Sequence, residues 1–270
     1  MRKALYQPAL YSSPIDLPER TQGKVSVKHH IYKKEVTVVS MREMVTRGAH
    51  PCKATLSQPL RVHELIEEGH GLWMSDHPQE LNQIAEMLFY LRPRGRVLVG
   101  GLGLGIVAET LSTQRPDVKR VTVVEKSANV IALCSTNHYE VVKEDILNFL
   151  WHHPTTDSFD YYLLDTWCGT NEGTWWDTVL PLRRAIRNRF GKKPVIHCWA
   201  EDQMQGQVRR QLTRLDLPAH WYYQEPYIHL SDPAAKWFLR YVGTPEWETK
   251  YGAAYDRCHT HMETRRKEQP

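Results

Sequence analysis

A glycine-rich turn follows an apolar run in the middle of the sequence. Residues 95–108 read GRVLVGGLGLGIVA. The apolar part of this segment is typical of a buried strand, and the residues after the last glycine are typical of a helix. Glycines let the backbone approach a ligand closely, and the first turn of the following helix carries a partial positive charge. The segment therefore predicts a cradle for a nucleotide or a nucleoside.

The spacing of these glycines fits two ligand classes. Gly101, Gly103 and Gly105 form GxGxG, the spacing typical of enzymes that bind S-adenosylmethionine. Gly103, Gly105 and Ala108 form GxGxxA, which dinucleotide enzymes use. A third interpretation is a tight turn between strand and helix that binds no ligand. The motif alone does not choose among these interpretations.

Acidic residues follow three of the predicted strands. Glu125 lies twenty residues beyond Gly105, where a carboxylate can accept hydrogen bonds from ribose hydroxyls. Asp145 can accept a hydrogen bond from an adenine amine while Ile146 packs on the ring. Asp165 ends the fourth strand, at the sheet edge where ligands of parallel sheets bind. For Asp145 and Asp165 the alternative is capping of the following helix.

Strand and helix patterns alternate from about residue 92 to residue 243. The predicted strands are 96–100, 120–125, 140–142, 159–165 and 194–200, each followed by a helical pattern. Such alternation predicts right-handed βαβ units and a doubly wound parallel sheet. Residues 220–228 and 236–243 are two β-rich runs joined by a turn too short for a crossover helix, so they must be antiparallel.

The predicted fold class is α/β: a Rossmann-like, doubly wound, mostly parallel seven-stranded sheet with a C-terminal antiparallel hairpin and a small N-terminal β extension. Alternating stretches at 25–39 and 60–74 predict that extension. A helical pattern spans 78–91, with Ser75 or Asp76 able to cap it. The predicted domains are an extension at 1–76, a main domain at 77–243 and a polar tail at 244–270.

Composition narrows the class of protein. The 270 residues are 41% hydrophobic and 24% charged, values typical of globular chains. No apolar run approaches the roughly 18 residues of a membrane-spanning helix, and no secretory signal is found at the N-terminus. Five cysteines without a CxxC pair predict reduced thiols rather than disulfides or a metal site. We therefore expect a cytoplasmic protein that binds neither membranes nor metal.

The motifs together resemble the class I S-adenosylmethionine-dependent methyltransferases, and within them the spermidine-synthase-like branch. The resemblance covers about residues 60–243. Residues 97–105 are similar to the strand and glycine turn of that branch, 121–127 to its ribose-binding segment and 144–150 to its adenine-binding segment. Residues 72–76 also resemble a segment of phage and bacterial methyltransferase-like proteins.

The resemblance implies that S-adenosyl-L-methionine is the cofactor. The residues predicted to bind it are Gly101, Leu102, Gly103, Gly105, Glu125, Lys126, Asp145, Ile146 and Asp165. Asp165 is also the candidate catalytic residue. The residues predicted to line the substrate pocket are Asp76, Trp167, Trp175 and Trp176, although each tryptophan could instead pack in the core. The predicted activity is transfer of a methyl group to a small molecule, by a chain that could form a homodimer.

Two alternative functions stay open at this point. The first is aminopropyl transfer from decarboxylated S-adenosylmethionine. Enzymes with that activity carry a second acid shortly after the residue equivalent to Asp165, whereas this chain continues Thr166-Trp167-Cys168-Gly169. The second is a nucleic-acid-associated protein with the same fold. It is motivated by a run of arginines at 183, 184, 187 and 189, which could equally be a solvated helix face.

Overall fold

The computed structural model of the chain describes residues 13–38, 52–56, 59–167, 174–191, 193–201 and 203–205. These residues belong to two compact units. The first comprises residues 1–165 with 193–195, and the second comprises 166–192 with 196–270. The predicted hairpin at 220–243 and the predicted tail at 244–270 lie outside the described residues.

The first unit begins with two antiparallel β-sheets. Their strands are β1 (Arg20–Gln22), β2 (Val25–Tyr32), β3 (Glu35–Val38), β4 (Cys52–Thr55), β5 (Leu60–Glu67) and β6 (Gly71–Ser75). β1, β2, β5 and β6 form one sheet in that order, and β3 pairs with β4 in another. The β extension is thus present, but the alternating stretch 25–39 is not continuous because it supplies strands to two different sheets.

A five-stranded sheet follows. Its strands are β7 (Gly95–Gly100), β8 (Val118–Glu125), β9 (Glu140–Lys143), β10 (Tyr161–Leu164) and β11 (Val195–Cys198), in the order β11-β10-β7-β8-β9. β10 pairs with β7, β7 with β8 and β8 with β9, all in parallel. The α/β class with a parallel sheet is confirmed. The expected seven strands are not found among the described residues, which supply five to this sheet.

Helices connect these strands, as the alternating pattern predicts. They are α1 (Pro78–Leu91), α2 (Ile106–Gln114), α3 (Ala128–Cys134), α4 (Ile146–His152) and α5 (Leu180–Phe190), with a π-helical segment at Trp175–Val179 before α5. The central strand β7 and its neighbour β10 consist largely of buried apolar residues: Val97, Leu98 and Val99 in β7, and all four residues of β10. Strands buried on both faces read as continuous apolar runs, which is why the sequence reveals them.

α1 has the bounds that the sequence predicts, but its cap is different. His77 is the N-cap residue, and its Nδ1 accepts a hydrogen bond from the Gln79 N–H at 3.2 Å. Pro78 occupies the first helical position, where its missing N–H costs nothing. The prediction that Ser75 or Asp76 caps this helix is therefore wrong. Both residues lie upstream of the cap.

The N-terminal sheet is attached to the parallel sheet through α3. The Arg20 guanidinium donates hydrogen bonds to the carbonyls of Ala132 and Leu133, at 3.4 and 3.3 Å. These carbonyls belong to the last turn of α3, where a positive charge is favoured by the helix dipole. Gly23, in the turn after β1, lies against the side chain of Asn129 so closely that a Cβ there would be 2.6 Å from its amide nitrogen.

In the second unit, Arg183 on α5 is buried rather than displayed. Its side chain is 0% exposed and forms an ion pair with Glu201. Glu201 also accepts a hydrogen bond from the Cys198 N–H at 3.1 Å. Arg183 therefore does not contribute to an exposed basic face. It links α5 to the end of β11 within this unit.

None of the helices among the described residues is both long and apolar enough to cross a bilayer. The same residues contain no group of three or more histidine, cysteine or acidic side chains placed to hold a metal ion.

Candidate functional site

Backbone hydrogen bonds bring the predicted glycine turn, Glu125 and Asp165 to one edge of the parallel sheet. Three of these bonds link successive strand ends: Asp165 N–H to Gly100 C=O at 2.8 Å, Gly101 N–H to Val124 C=O at 2.9 Å, and Glu144 N–H to Glu125 C=O at 3.1 Å. All of these residues lie at carboxyl ends of parallel strands, where ligands of such sheets bind. The structure therefore gathers the glycine turn, Glu125 and Asp165 at adjacent strand ends.

The glycine turn contains three residues with left-handed backbone. Gly101, Gly103 and Gly105 have φ of 91°, 54° and 82°, a region that favours glycine. A Cβ at Gly103 would overlap the Sδ atom of Met74, and one at Gly105 would lie 2.7 Å from the Tyr139 hydroxyl. Close contacts with other parts of the chain thus account for two of these glycines, a cause that the sequence motif does not reveal.

Ile146 lies beside the strand ends as well. It is buried, and a Cβ on Gly100 would approach its side chain to 3.4 Å and that of Leu164 to 2.8 Å. A side chain at Gly100 would therefore crowd these two residues. The ring-packing role predicted for Ile146 stays a prediction, since its side chain contacts the strand ends in this structure.

Glu125 is held firmly at the end of β8. Its Oε2 accepts a hydrogen bond from the Leu102 N–H at 2.9 Å, and its Oε1 accepts one from the Ser127 N–H at 2.7 Å. The carboxylate is thus tied to the glycine turn on one side and to the start of α3 on the other. Because each carboxylate oxygen has two acceptor positions, further hydrogen bonds to a ligand are possible. Lys126, the next residue, is exposed.

Asp145 caps α4. Its Oδ1 accepts hydrogen bonds from the N–H groups of Leu147 and Asn148, at 2.9 and 3.3 Å. The side chain is exposed. The capping role considered from the sequence is therefore present, and a role toward adenine stays a prediction that would have to use the remaining acceptor positions.

Asp165 has a perturbed carboxyl group. The residue is exposed, yet desolvation by the surrounding protein raises the pKa of its carboxyl group to about 7, and the negative charge of Glu80 adds to the rise. Water that reaches the exposed side screens part of this effect but does not reverse its direction. A carboxyl group that changes charge near neutral pH can exchange a proton with a bound molecule.

Glu80 is the acid that the sequence analysis missed. It occupies the first turn of α1, and its Oε2 accepts hydrogen bonds from the N–H and the hydroxyl of Ser75, at 2.9 and 3.0 Å. Burial raises the pKa of Glu80, the two Ser75 hydrogen bonds oppose this rise, and the charge of Asp76 adds to it. The only sequence clue was an acid in a first helical turn, which ordinarily indicates capping.

Asp76 is buried beside a histidine of β5. It is 3% exposed, and its carboxylate accepts hydrogen bonds from the backbone N–H and the ring Nδ1 of His63. His63 is 2% exposed, and its Nε2 accepts the N–H of Leu17 at 3.3 Å. Asp76 thus has a structural role within the N-terminal sheet. Its predicted place in the substrate pocket stays a prediction.

The three tryptophans predicted to line the substrate pocket belong to the second unit. Trp175 is 0% exposed, so the structure places its ring in the core. Trp167 is half-buried, and its indole nitrogen has no hydrogen-bond acceptor among the residues that the structure describes. The side chain of Trp176 lies outside the described set. A pocket role for these tryptophans stays a prediction.

No protein-family model matches the chain, and no curated protein matches it. Among solved structures, spermidine synthase from Thermotoga maritima is similar at 11% identity and a TM-score of 0.35, over 74% of this chain and 73% of that one. A spermidine synthase bound to the transition-state analogue AdoDATO is similar at 12% identity and a TM-score of 0.35, over 74% of each chain.

Proposed function

We propose that this chain binds S-adenosyl-L-methionine at the edge formed by the glycine turn, Glu125 and Asp165, and transfers its methyl group to a small-molecule acceptor. The observation that carries the proposal is the hydrogen bond from the Leu102 N–H to the Glu125 carboxylate. It fixes an acid beside a glycine turn, the combination that suits a ribose.

The residues present fit such a ligand in three respects. The turn has left-handed backbone at Gly101, Glu125 is oriented by two N–H donors, and Asp145 presents an exposed carboxylate at the next strand end. Glu125 would accept hydrogen bonds from the ribose hydroxyls and Asp145 from the adenine amine. When bound, the cofactor supplies a methyl group activated by its sulfonium charge.

Asp165 would act on the acceptor. Transfer of a methyl group to an N–H or O–H nucleophile releases a proton, and a base must take it. Asp165 directly follows β10, next to the glycine turn, and its raised pKa keeps it close to its point of ionisation at neutral pH. Its carboxylate oxygen would accept the proton from the acceptor, while the rigid strand ends hold the two reactants in position.

Calorimetry with S-adenosylhomocysteine tests the binding step. We expect micromolar affinity for the wild-type protein and a loss of at least about tenfold in Glu125→Gln, because the charged acceptor for the ribose is gone. Glu140→Gln is the matched control, since Glu140 starts β9 and pairs with Arg120. Tighter binding of a nicotinamide dinucleotide than of S-adenosylhomocysteine would contradict the proposal.

A second candidate function is aminopropyl transfer. The electrostatic effect of Glu80 on Asp165 favours it, because two acids at one site attract an amine substrate with several positive charges. The second acid that the sequence lacks after Asp165 would then come from α1. Comparing the affinities for S-adenosylmethionine and its decarboxylated form separates the two candidates. Methyl transfer predicts preference for the former and aminopropyl transfer for the latter.

A further inference from the structure

A β-bulge aims one side chain of β6 at the glycine turn. In the pairing of β5 with β6, Leu65 lies opposite Met74 and Ile66 lies opposite Leu72, so Trp73 is an extra residue. Such an insertion reverses the alternation of faces beyond it. Met74 therefore shares a face with Leu65, whereas regular pairing would have put Trp73 there. Trp73 is left 46% exposed.

Met74 makes two contacts with the turn. Its Sδ accepts a hydrogen bond from the Leu104 N–H at 3.1 Å, and it occupies the space that a side chain at Gly103 would need. Leu104 directly precedes Gly105, the N-cap residue of α2. The contact thus covers an N–H donor beside the positive end of that helix.

A methionine sulfur is a poor partner for the backbone N–H of Leu104. A thioether sulfur is a weak hydrogen-bond acceptor, whereas the neighbouring Leu102 N–H is matched with a carboxylate, that of Glu125. An anionic ligand group would be the stronger partner for the Leu104 N–H. Met74 places an uncharged, apolar group where such a ligand group would otherwise bind.

We infer that Met74 determines how strongly the site binds the amino-acid tail of an adenosyl donor, by occupying the Leu104 N–H and the space above Gly103. This inference rests on the proposed function. Met74 would then decide whether the site prefers a donor that has a carboxylate in its tail or one that lacks it. Met74 belongs to the N-terminal sheet, whereas the glycine turn belongs to the parallel sheet.

The test compares two ligands that differ in this tail, S-adenosylhomocysteine and 5′-methylthioadenosine, by calorimetry. Met74→Ala frees the N–H and the space, and we expect the ratio of the two affinities to rise about tenfold in favour of S-adenosylhomocysteine, the size of a hydrogen bond to a charged group. Met74→Leu keeps the volume, and its ratio should stay within about twofold of the wild type. Met87→Ala, on α1, is the matched control.

A second readout needs no ligand. Loss of the sulfur acceptor should shift the Leu104 amide resonance and speed its hydrogen exchange in both Met74→Ala and Met74→Leu. Met74→Val is the fallback if the alanine variant does not fold, and it should give an intermediate ratio. Equal changes in both affinities for Met74→Ala would overturn the inference alone. Failure of both nucleosides to bind the wild-type protein would overturn the proposed function and the inference together.

Discussion

The Asp76 carboxylate accepts two hydrogen bonds from one residue, His63: one from its ring Nδ1 at 2.6 Å and one from its backbone N–H at 2.5 Å. Nε2 of the same ring accepts the Leu17 N–H at 3.3 Å. Both ring nitrogens of this buried histidine are therefore hydrogen-bonded, and the ring ties residues near Leu17 to β5.

Asp76→Asn should destabilise the protein by about 1–3 kcal/mol, because the amide group cannot accept from both His63 donors and one buried donor loses its partner. Chemical denaturation measures this loss. The matched control is Glu140→Gln, an exposed partner of Arg120, which should change stability by less than about 0.5 kcal/mol. Weaker binding of S-adenosylhomocysteine by a fully folded Asp76→Asn variant would instead support the predicted pocket role.

Asp165→Asn should stabilise the protein at high pH and abolish proton acceptance at the site. The pKa of Asp165 is raised in the folded state to about 7, so its charged form disfavours folding. Wild-type stability therefore rises, relative to the variant, as the pH falls from above 7 toward the ordinary aspartate range. The Tm advantage of Asp165→Asn, measured by thermal unfolding, should be larger at pH 8 than at pH 5.

Glu80→Gln should lower the pKa of Asp165, because it removes the negative charge that contributes to the rise. A carboxyl-carbon NMR titration of Asp165 measures the midpoint directly. If Asp165 is the base, the acidic limb of the pH–rate profile should move to lower pH in the same variant. Gln83→Ala, which changes an uncharged residue of the same helix, serves as the control. An unchanged Asp165 midpoint in Glu80→Gln would contradict the electrostatic link.

Ala200→Gly should be neutral or stabilising by up to about 1 kcal/mol. Ala200 has a φ of 56°, a left-handed conformation that costs about 1–2 kcal/mol for a residue with a Cβ and little for glycine. The greater freedom of glycine in the unfolded chain offsets part of the gain. Ala132→Gly, at an exposed position of α3, is the control and should cost about 1 kcal/mol. Thermal unfolding of both variants measures the difference.

The parallel sheet and α1 could be predicted because their signals are local. β7 and β10 are continuous apolar runs, and the pattern over 78–91 has helical period. Placement of Glu125 and Asp165 at one edge follows from the same regularity, since parallel strands end together. The β extension was also visible as alternation, although its division into two sheets was not.

The finer features depend on contacts distant in sequence. The bulge at Trp73 arises from the way β6 pairs with β5. The identity of Trp73 alone does not indicate it, because the pairing register is set by both strands. Burial of Arg183 depends on Glu201, which lies beyond the end of β11. The approach of Glu80 to Asp165 requires α1 and β10 to be positioned by the whole unit. Such relationships are properties of the packed chain rather than of any segment.

The hydrogen bonds from Arg20 to the end of α3 also constrain the order of folding. They join residues that are 112 and 113 positions apart in the sequence. A long loop must therefore close before these hydrogen bonds can form. During synthesis from the N-terminus, the first strands leave the ribosome long before residue 133 exists. The N-terminal sheet therefore cannot complete its attachment to α3 until residue 133 has been made.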